Sequence, residues 1–206
     1  MHGKIDLFDA IYTMRAIRHF KPDPIPDSVL RAILEAACQA PSGGNRQPWT
    51  FLIIKEKENL ERLHNLLLQG MTEEEEKAAQ QGRKAAKSTF SRTLNEQHLK
   101  NIPVIVMVLS SDREDGVRSS EGPDNAIQNL LLAARAFGLG GVITFVHNHN
   151  EHGIRSEFGI PNERDIVAFI PLGYPDEHRG SRHGIKTRKR LEEVAFEEQW
   201  GNRITI

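Results

Sequence analysis

Apolar side chains recur every three or four positions in several stretches of the chain, and this period predicts amphipathic helices. The first repeat covers residues 7–12 and should end before the prolines of segment 21–27. A second repeat covers 29–40, and a third covers 60–68. Residues 72–87 include a run of glutamates and few apolar positions, so they predict a separate, solvent-exposed helix. The first half of the chain is therefore predicted to be largely helical.

The strongest helix signal lies at 125–137, where a broad apolar face includes Ile127, Leu130 and Leu131. Gly138 follows it directly, and glycine is common just beyond a helix C-terminus. A helix this apolar is expected to be buried, either at the centre of a domain or at a subunit interface.

Stretches rich in β-branched and aromatic residues predict strands. They are residues 49–55, 102–110, 141–147 and 166–175, with a short helix at 150–160. Segment 102–110 is apolar at nearly every position, which is typical of a strand covered on both faces. No internal repeat or Ser/Gly linker divides the chain, so one α+β domain is predicted.

Composition excludes several classes of protein. A chain of 206 residues with a formal net charge of −1 lacks the basic excess of a dedicated nucleic-acid binder. Its longest apolar run is too short to span a bilayer, and its N-terminus has no secretory hydrophobic segment. The one cysteine, Cys38, excludes an intrachain disulfide and is interpreted as a small buried hydrophobe. We therefore expect a cytoplasmic protein with no membrane or nucleic-acid partner.

Basic residues are concentrated near both chain ends. Arg15 and Arg18 lie near the N-terminus, and Lys186 and Arg188 belong to the sequence KTRKR near the C-terminus. A phosphate group favours several charge-assisted donors at once, so a site built from both ends could hold one. The alternative is that these are ordinary surface cations.

The sequence APSGGNRQPW, residues 40–49, has the composition of a ligand-contacting loop. Gly43 and Gly44 allow backbone groups to approach a ligand without an intervening Cβ. Ser42 and Asn45 add short side chains that donate and accept hydrogen bonds. A plain turn needs fewer special residues than this.

Two other patterns suggest chemistry that we do not favour. The glycines at 138–141 follow a helix and precede a strand, which is the reverse of a dinucleotide fingerprint. His147, His149 and His152 have a spacing that could suggest zinc. They lack a nearby cysteine, so a polar loop at the rim of a pocket is the preferred interpretation and no metal is expected.

Four segments, taken in order, resemble the nitroreductase superfamily of FMN-dependent NAD(P)H oxidoreductases. They are AIYTMRAIRHFKPDPIP, EAACQAPSGGNRQPWTFLII, AIQNLLLAARAFGLGGVITF, and FIPLGYP with KTRKRLEEV. The resemblance implies an α+β fold in which helices surround a central mixed or antiparallel sheet. It also implies an intertwined homodimer with a C-terminal arm. Residues 1–206 would form a single FMN-binding domain, with a variable helical lid at about 70–100, where the match is weakest.

The resemblance assigns the basic residues to the FMN phosphate and ribityl chain. Arg15 and Arg18 match the family's N-terminal basic positions, with Ala16 between them where many members have serine. Lys186 and Arg188 match the phosphate contacts near the C-terminus. A serine hydroxyl contact is thus absent here.

Further residues are implied to contact the isoalloxazine ring. The loop that reaches the flavin from the other subunit is matched by Pro41, Ser42, Gly43 and Asn45. Ile143 and Thr144 match the stretch beside the ring, where a backbone N–H commonly faces flavin N5. Asn95 matches a polar position near the pyrimidine edge.

The activity implied is ping-pong electron transfer from NADH or NADPH, through FMN, to a small electron-poor acceptor such as a nitroaromatic, quinone or enone. FMN would carry the chemistry, so no side chain is expected to be catalytic. Three alternative functions would use the same FMN contacts and remain possible. They are reductive dehalogenation, flavin fragmentation, and flavin storage or regulation without useful turnover. A nucleic-acid role for KTRKR would predict steeply salt-dependent binding.

Overall fold

The structure is a computed structural model that describes residues 5–84, 99–110 and 123–205. Its helices are α1 (Leu7–Thr13), α2 (Asp27–Ala37), α3 (Lys57–Gln80), α4 (Asp124–Ala136) and α5 (Glu151–Phe158). Its strands are β1 (Trp49–Ile54), β2 (Val104–Ser110), β3 (Gly140–Gly141) and β4 (Ile166–Gly173). Within these ranges, no helix is both long enough and apolar enough to cross a membrane.

The strands form one sheet in the order β1-β2-β4-β3, and every neighbouring pair is antiparallel. Strand β2 is central and buried along nearly its whole length. Val104, Val106 and Val108 belong to one hydrophobic cluster, whereas Ile105 and Met107 belong to the other. The continuous apolar run predicted a strand covered on both faces, and the structure confirms it.

Helices cover both faces of the sheet. On one face, α2 and α4 contribute Ile33 and Leu130 to the cluster that includes the β2 valines. On the other face, α3 and α5 contribute Leu63 and Ile154. The predicted α+β architecture of helices around a central sheet is confirmed.

Helix α3 differs from the sequence prediction, which divided it near Gly70. One uninterrupted helix runs from Lys57 to Gln80. A Cβ at Gly70 would lie 2.2 Å from the backbone oxygen of His149, so glycine serves close helix–loop packing here. The predicted lid begins inside this helix, and residues 85–98 of it lie outside the described residues.

Two further predictions need correction. The strand expected at 141–147 is only partly formed: Gly140 and Gly141 pair with β4, and Thr144 makes an isolated bridge to Phe169. A 3₁₀ turn then begins at Val146 and contacts both α3 and β4. Cys38 is exposed at the C-terminus of α2 and is not the buried hydrophobe that its alanine-rich surroundings suggested.

The segment after α1 extends the sheet edge beside β3. Ala16 bridges Gly141 in parallel orientation, and the Ile17 N–H donates to the Gly141 carbonyl at 3.0 Å. Gly140 makes this approach possible, since a Cβ there would lie 2.2 Å from Ile17 Cγ1. The buried Ile17 anchors the segment, and the two flanking arginines lie at the sheet margin.

Candidate functional site

A cavity of about 700 Å³ lies where the segment after α1, the middle of α4, the β3 edge and the irregular chain beyond residue 181 meet. This volume lies within the range typical of small-molecule sites, about 300–1,000 Å³. It is lined by Met14, Arg15, Ala16, Arg18, Gln128, Leu131, Gly141, Val142, Ile143, Arg182, His183, Gly184, Ile185, Lys186 and Arg188.

The lining contains five cations and no carboxylate; we call Arg15, Arg18, Arg182, Lys186 and Arg188 the cation cluster. Among the described residues, none of the five forms an ion pair. A cluster of one sign, packed around a concave surface, creates a potential that attracts anions.

The two N-terminal arginines, Arg15 and Arg18, each have an N–H donor available for a ligand. The buried Nε atoms of Arg15 and Arg18 have no hydrogen-bond partner among the described residues. Arg15 Nη2 donates to the Tyr12 carbonyl at 2.8 Å. Burial, and secondarily the charge of Arg188, lower the pKa of Arg15 from its ordinary value, yet arginine stays charged in proteins. Unpaired, partly desolvated guanidinium groups fit a bound anion such as phosphate.

A second cavity, of about 740 Å³, has a different character. Its wall is charged, but Lys55 pairs with Asp27 at 2.6 Å, and Lys57 lies 3.9 Å from Glu61. These charges are matched within the protein, so this cavity has no comparable excess of one sign. The first cavity is therefore the candidate functional site.

Gly141, Val142 and Ile143, which we call the apolar wall, border the cation cluster. Gly141 and Val142 form the base of this wall, and the Ile143 side chain, 42% exposed, projects from it. Thr144 faces the core instead, with 3% exposure. Its N–H donates to the Phe169 carbonyl at 3.0 Å, so this N–H is already committed to the sheet. Of the two residues matched to the ring contact, Ile143 lines the cavity and Thr144 does not.

The glycine-rich loop lies outside the lining of its own chain's cavity. It forms a 3₁₀ turn at Gly43–Asn45 between α2 and β1, and the loop is mostly exposed. The Ser42 hydroxyl accepts from the Gln47 N–H at 2.9 Å, and the Pro41 carbonyl accepts from Asn125 at 3.2 Å. The loop is thus held in place by its own residues and by α4.

The predicted cofactor-binding positions divide into those that line the cavity and those that do not. Six of them line the cavity: Arg15, Ala16, Arg18, Ile143, Lys186 and Arg188. Asn95 lies outside the described residues. Sequence reasoning missed Gln128, Arg182 and His183. Arg182 and His183 lie just before the recognised KTRKR sequence, and that proximity was the available signal.

The three clustered histidines do not converge. His147 is buried against Phe169, and this burial lowers its pKa to about 4, so it is neutral near pH 7. His149 Nδ1 contacts Glu74 of α3 at 2.5 Å, whereas His152 is exposed. No group of three or more His, Cys, Asp or Glu side chains is gathered as a metal site in the part of the chain that the structure describes. A 3₁₀ turn followed by α5 turns the three in different directions.

Comparisons with known proteins identify the family. A family model described as the nitroreductase family matches residues 11–174. A Methanothermobacter thermautotrophicus protein with the provisional name NADH dehydrogenase/NAD(P)H nitroreductase is 30% identical over 184 residues, covering 87% of this chain and 83% of that protein. The iodotyrosine deiodinase of Thermotoga neapolitana is 29% identical over 174 residues, covering 83% and 89%.

A solved structure shares the fold. The FMN-dependent nitroreductase of Mycobacterium smegmatis, solved with NADPH, has a TM-score of 0.71 at 24% identity. The match covers 94% of this chain and all of that one. Because the family model spans most of the sequence and the fold agrees, this chain belongs to the nitroreductase family.

Proposed function

We propose that the chain is an FMN-dependent oxidoreductase that uses NADH or NADPH to reduce small electron-poor acceptors such as nitroaromatics, quinones or enones. The observation that carries the proposal is the cation cluster, with unpaired guanidinium donors, beside an exposed apolar wall. A phosphate attached to a flat aromatic ring has this combination of chemistry.

The residues present fit FMN. Arg15, Arg18, Lys186 and Arg188 would hold the phosphate, with Arg182 adding positive charge. Each hydrogen bond to a charged group contributes about 1.5–3 kcal/mol. When bound, FMN would supply hydride and electron transfer between the nicotinamide and the acceptor. The protein would contribute binding, orientation and electrostatics.

The apolar wall would orient the ring. Ile143 offers its exposed side chain, and Gly141 packs closely on β4, where a Cβ would lie 2.8 Å from the Pro171 carbonyl oxygen. Thr144 would contribute indirectly, because its backbone hydrogen bonds with Phe169 fix the position of the adjacent Ile143. Because the described lining holds no carboxylate, we expect solvent or the acceptor to supply protons, and we assign no catalytic side chain.

We also propose a homodimer in which the loop residues Pro41, Ser42, Gly43 and Asn45 contact the cofactor of the partner subunit. Large apolar side chains are exposed on the single chain, including Phe8 (63%), Tyr12 (65%) and Trp200 (90%). Their burial between two copies would account for them, and the C-terminal arm that carries Trp200 would then lie on the partner. We also propose a cytoplasmic location, because the proposed electron donors, NADH and NADPH, are available there.

Reductive dehalogenation is the second candidate, because the relatives include an iodotyrosine deiodinase. It uses the same cofactor site and differs in the acceptor. Assays of the reduced protein with a halotyrosine and with a nitroaromatic separate the two, since only a dehalogenase releases halide from the first.

The proposal is tested by purifying the protein and identifying any bound flavin after denaturation. FMN should copurify or bind to the apo-protein, and turnover with NADH or NADPH should depend on it. A protein that neither carries nor binds FMN would overturn the proposal.

A further inference from the structure

Residues 182–188, which we call the C-terminal basic segment, carry three members of the cation cluster: Arg182, Lys186 and Arg188. The segment contains no helix or strand. Its geometry therefore depends on individual contacts with the rest of the fold, and a phosphate site needs its cations in fixed positions.

Two side chains tie this region to the backbone of the N-terminal arginines. The Arg18 N–H donates to Ser181 Oγ at 3.3 Å, and the neighbouring His19 N–H donates to the same oxygen at 2.9 Å. The Arg15 N–H donates to His183 Nδ1 at 3.4 Å. Each of the two N-terminal arginines thus has its backbone held by a side chain from residues 181–183.

His183 makes a second contact that fixes its protonation. Its Nε2 lies 2.9 Å from the Leu139 carbonyl, which can only accept. Since Nδ1 accepts from Arg15, the ring is the neutral Nε2–H tautomer. Burial lowers the pKa of His183; Arg135 and Arg15 also lower it, while Glu177 and the Leu139 carbonyl oppose this.

The backbone adds one more contact, from the Gly184 N–H to the Thr13 carbonyl at 2.9 Å. Among the side chains of residues 182–189, that of His183 alone makes a hydrogen bond within the described part of the chain. Within the described residues, Arg182, Lys186 and Arg188 form no ion pair, so the His183 side chain is the contact that fixes the segment between them.

We propose that Ser181 and His183 are positioning residues for the cofactor phosphate. Each fixes the backbone of one N-terminal arginine, and together they hold the C-terminal basic segment against the sheet edge. This rests on the proposed function, because it assumes that the cation cluster binds the FMN phosphate. Ser181 does not line the cavity and His183 does, but the effect proposed for each is exerted through the cations whose backbone it holds.

The test compares the dissociation constants of FMN and riboflavin, which differ by the phosphate. His183→Leu and Ser181→Ala should each weaken FMN binding about tenfold, as expected for losing a hydrogen bond or two, and leave riboflavin affinity within about twofold. His183→Gln keeps a donor for the Leu139 carbonyl and should recover much of the loss. The matched control is Ser110→Ala, which also removes a serine acceptor of a backbone N–H, that of Asp165, outside the cavity.

The outcomes separate the two proposals. If wild-type protein binds no FMN, the proposed function fails and this inference fails with it. If wild-type protein binds FMN but the variants weaken FMN and riboflavin equally, or weaken neither, only the positioning role is wrong. A second measurement needs no variant and no cofactor: nitrogen NMR of the apo-protein should show His183 protonated at Nε2, and the Nδ1–H tautomer would contradict the geometry.

Discussion

Removing the Arg15 guanidinium should weaken FMN binding strongly and affect riboflavin little. Arg15→Gln keeps a polar side chain but removes the charge and the Nε donor, which has no partner among the described residues. Loss of one charge-assisted hydrogen bond, about 1.5–3 kcal/mol, corresponds to roughly a 10- to 150-fold rise in the FMN dissociation constant. Riboflavin lacks the phosphate, so its dissociation constant should change less than about twofold on the same scale.

The assay is quenching of flavin fluorescence in titrations at low and high salt. Because the attraction is electrostatic, FMN binding by the wild-type protein should weaken with added salt, and Arg15→Gln should show a shallower dependence. Arg62→Gln is the control: it removes the same charge from a surface arginine paired with Glu58 and Glu157. Unchanged FMN affinity in Arg15→Gln, or equal losses in both variants, would refute the reasoning.

Three further predictions follow from other contacts. Gly140→Ala should destabilise the fold by about 1–3 kcal/mol in urea unfolding, because its Cβ would overlap Ile17; unchanged stability would contradict the packing described. His147 has its pKa lowered to about 4 by burial, so the unfolded chain binds a proton that the folded chain does not. The stabilising effect of His147 is complete above the pKa that it has in the unfolded chain. As pH falls from about 8 to about 5, the free energy of unfolding should decrease by about 2 kcal/mol. Replacing it by Phe should flatten this dependence in urea titrations, and an identical slope would count against the assignment. Phe8→Asp should produce monomers in light scattering and weaken FMN binding, whereas a dimer that persists would remove support for an interface at α1.

The core of the fold could be predicted because its signal is local. The uninterrupted apolar run of β2 is visible in the sequence, and burial on both faces is the physical reason for it. Helix α3 was divided wrongly because residues 72–80 are rich in glutamate and have few apolar positions, which suggested a separate, solvent-exposed helix. The close approach of the His149 backbone, which makes glycine necessary there, is a tertiary contact that periodicity cannot show.

The candidate site could be predicted only in part. Periodicity and charge drew attention to the arginines at the N-terminus and the basic cluster near the C-terminus. Their convergence depends on the bridge between Ala16 and Gly141 and on contacts across more than 160 positions of sequence, such as that from Arg15 to His183. His183 resembles another surface residue of a basic stretch until both of its ring nitrogens are seen to be engaged.

An anaerobic redox cycle tests the central claim most directly. Apo-protein is loaded with FMN, excess cofactor is removed, and the flavin absorbance is followed after addition of NADH or NADPH. We predict that at least one of them bleaches the bound flavin and that a nitroaromatic or quinone restores the colour. Bound flavin that stays oxidised with both nicotinamides, or that no acceptor reoxidises, would contradict the account.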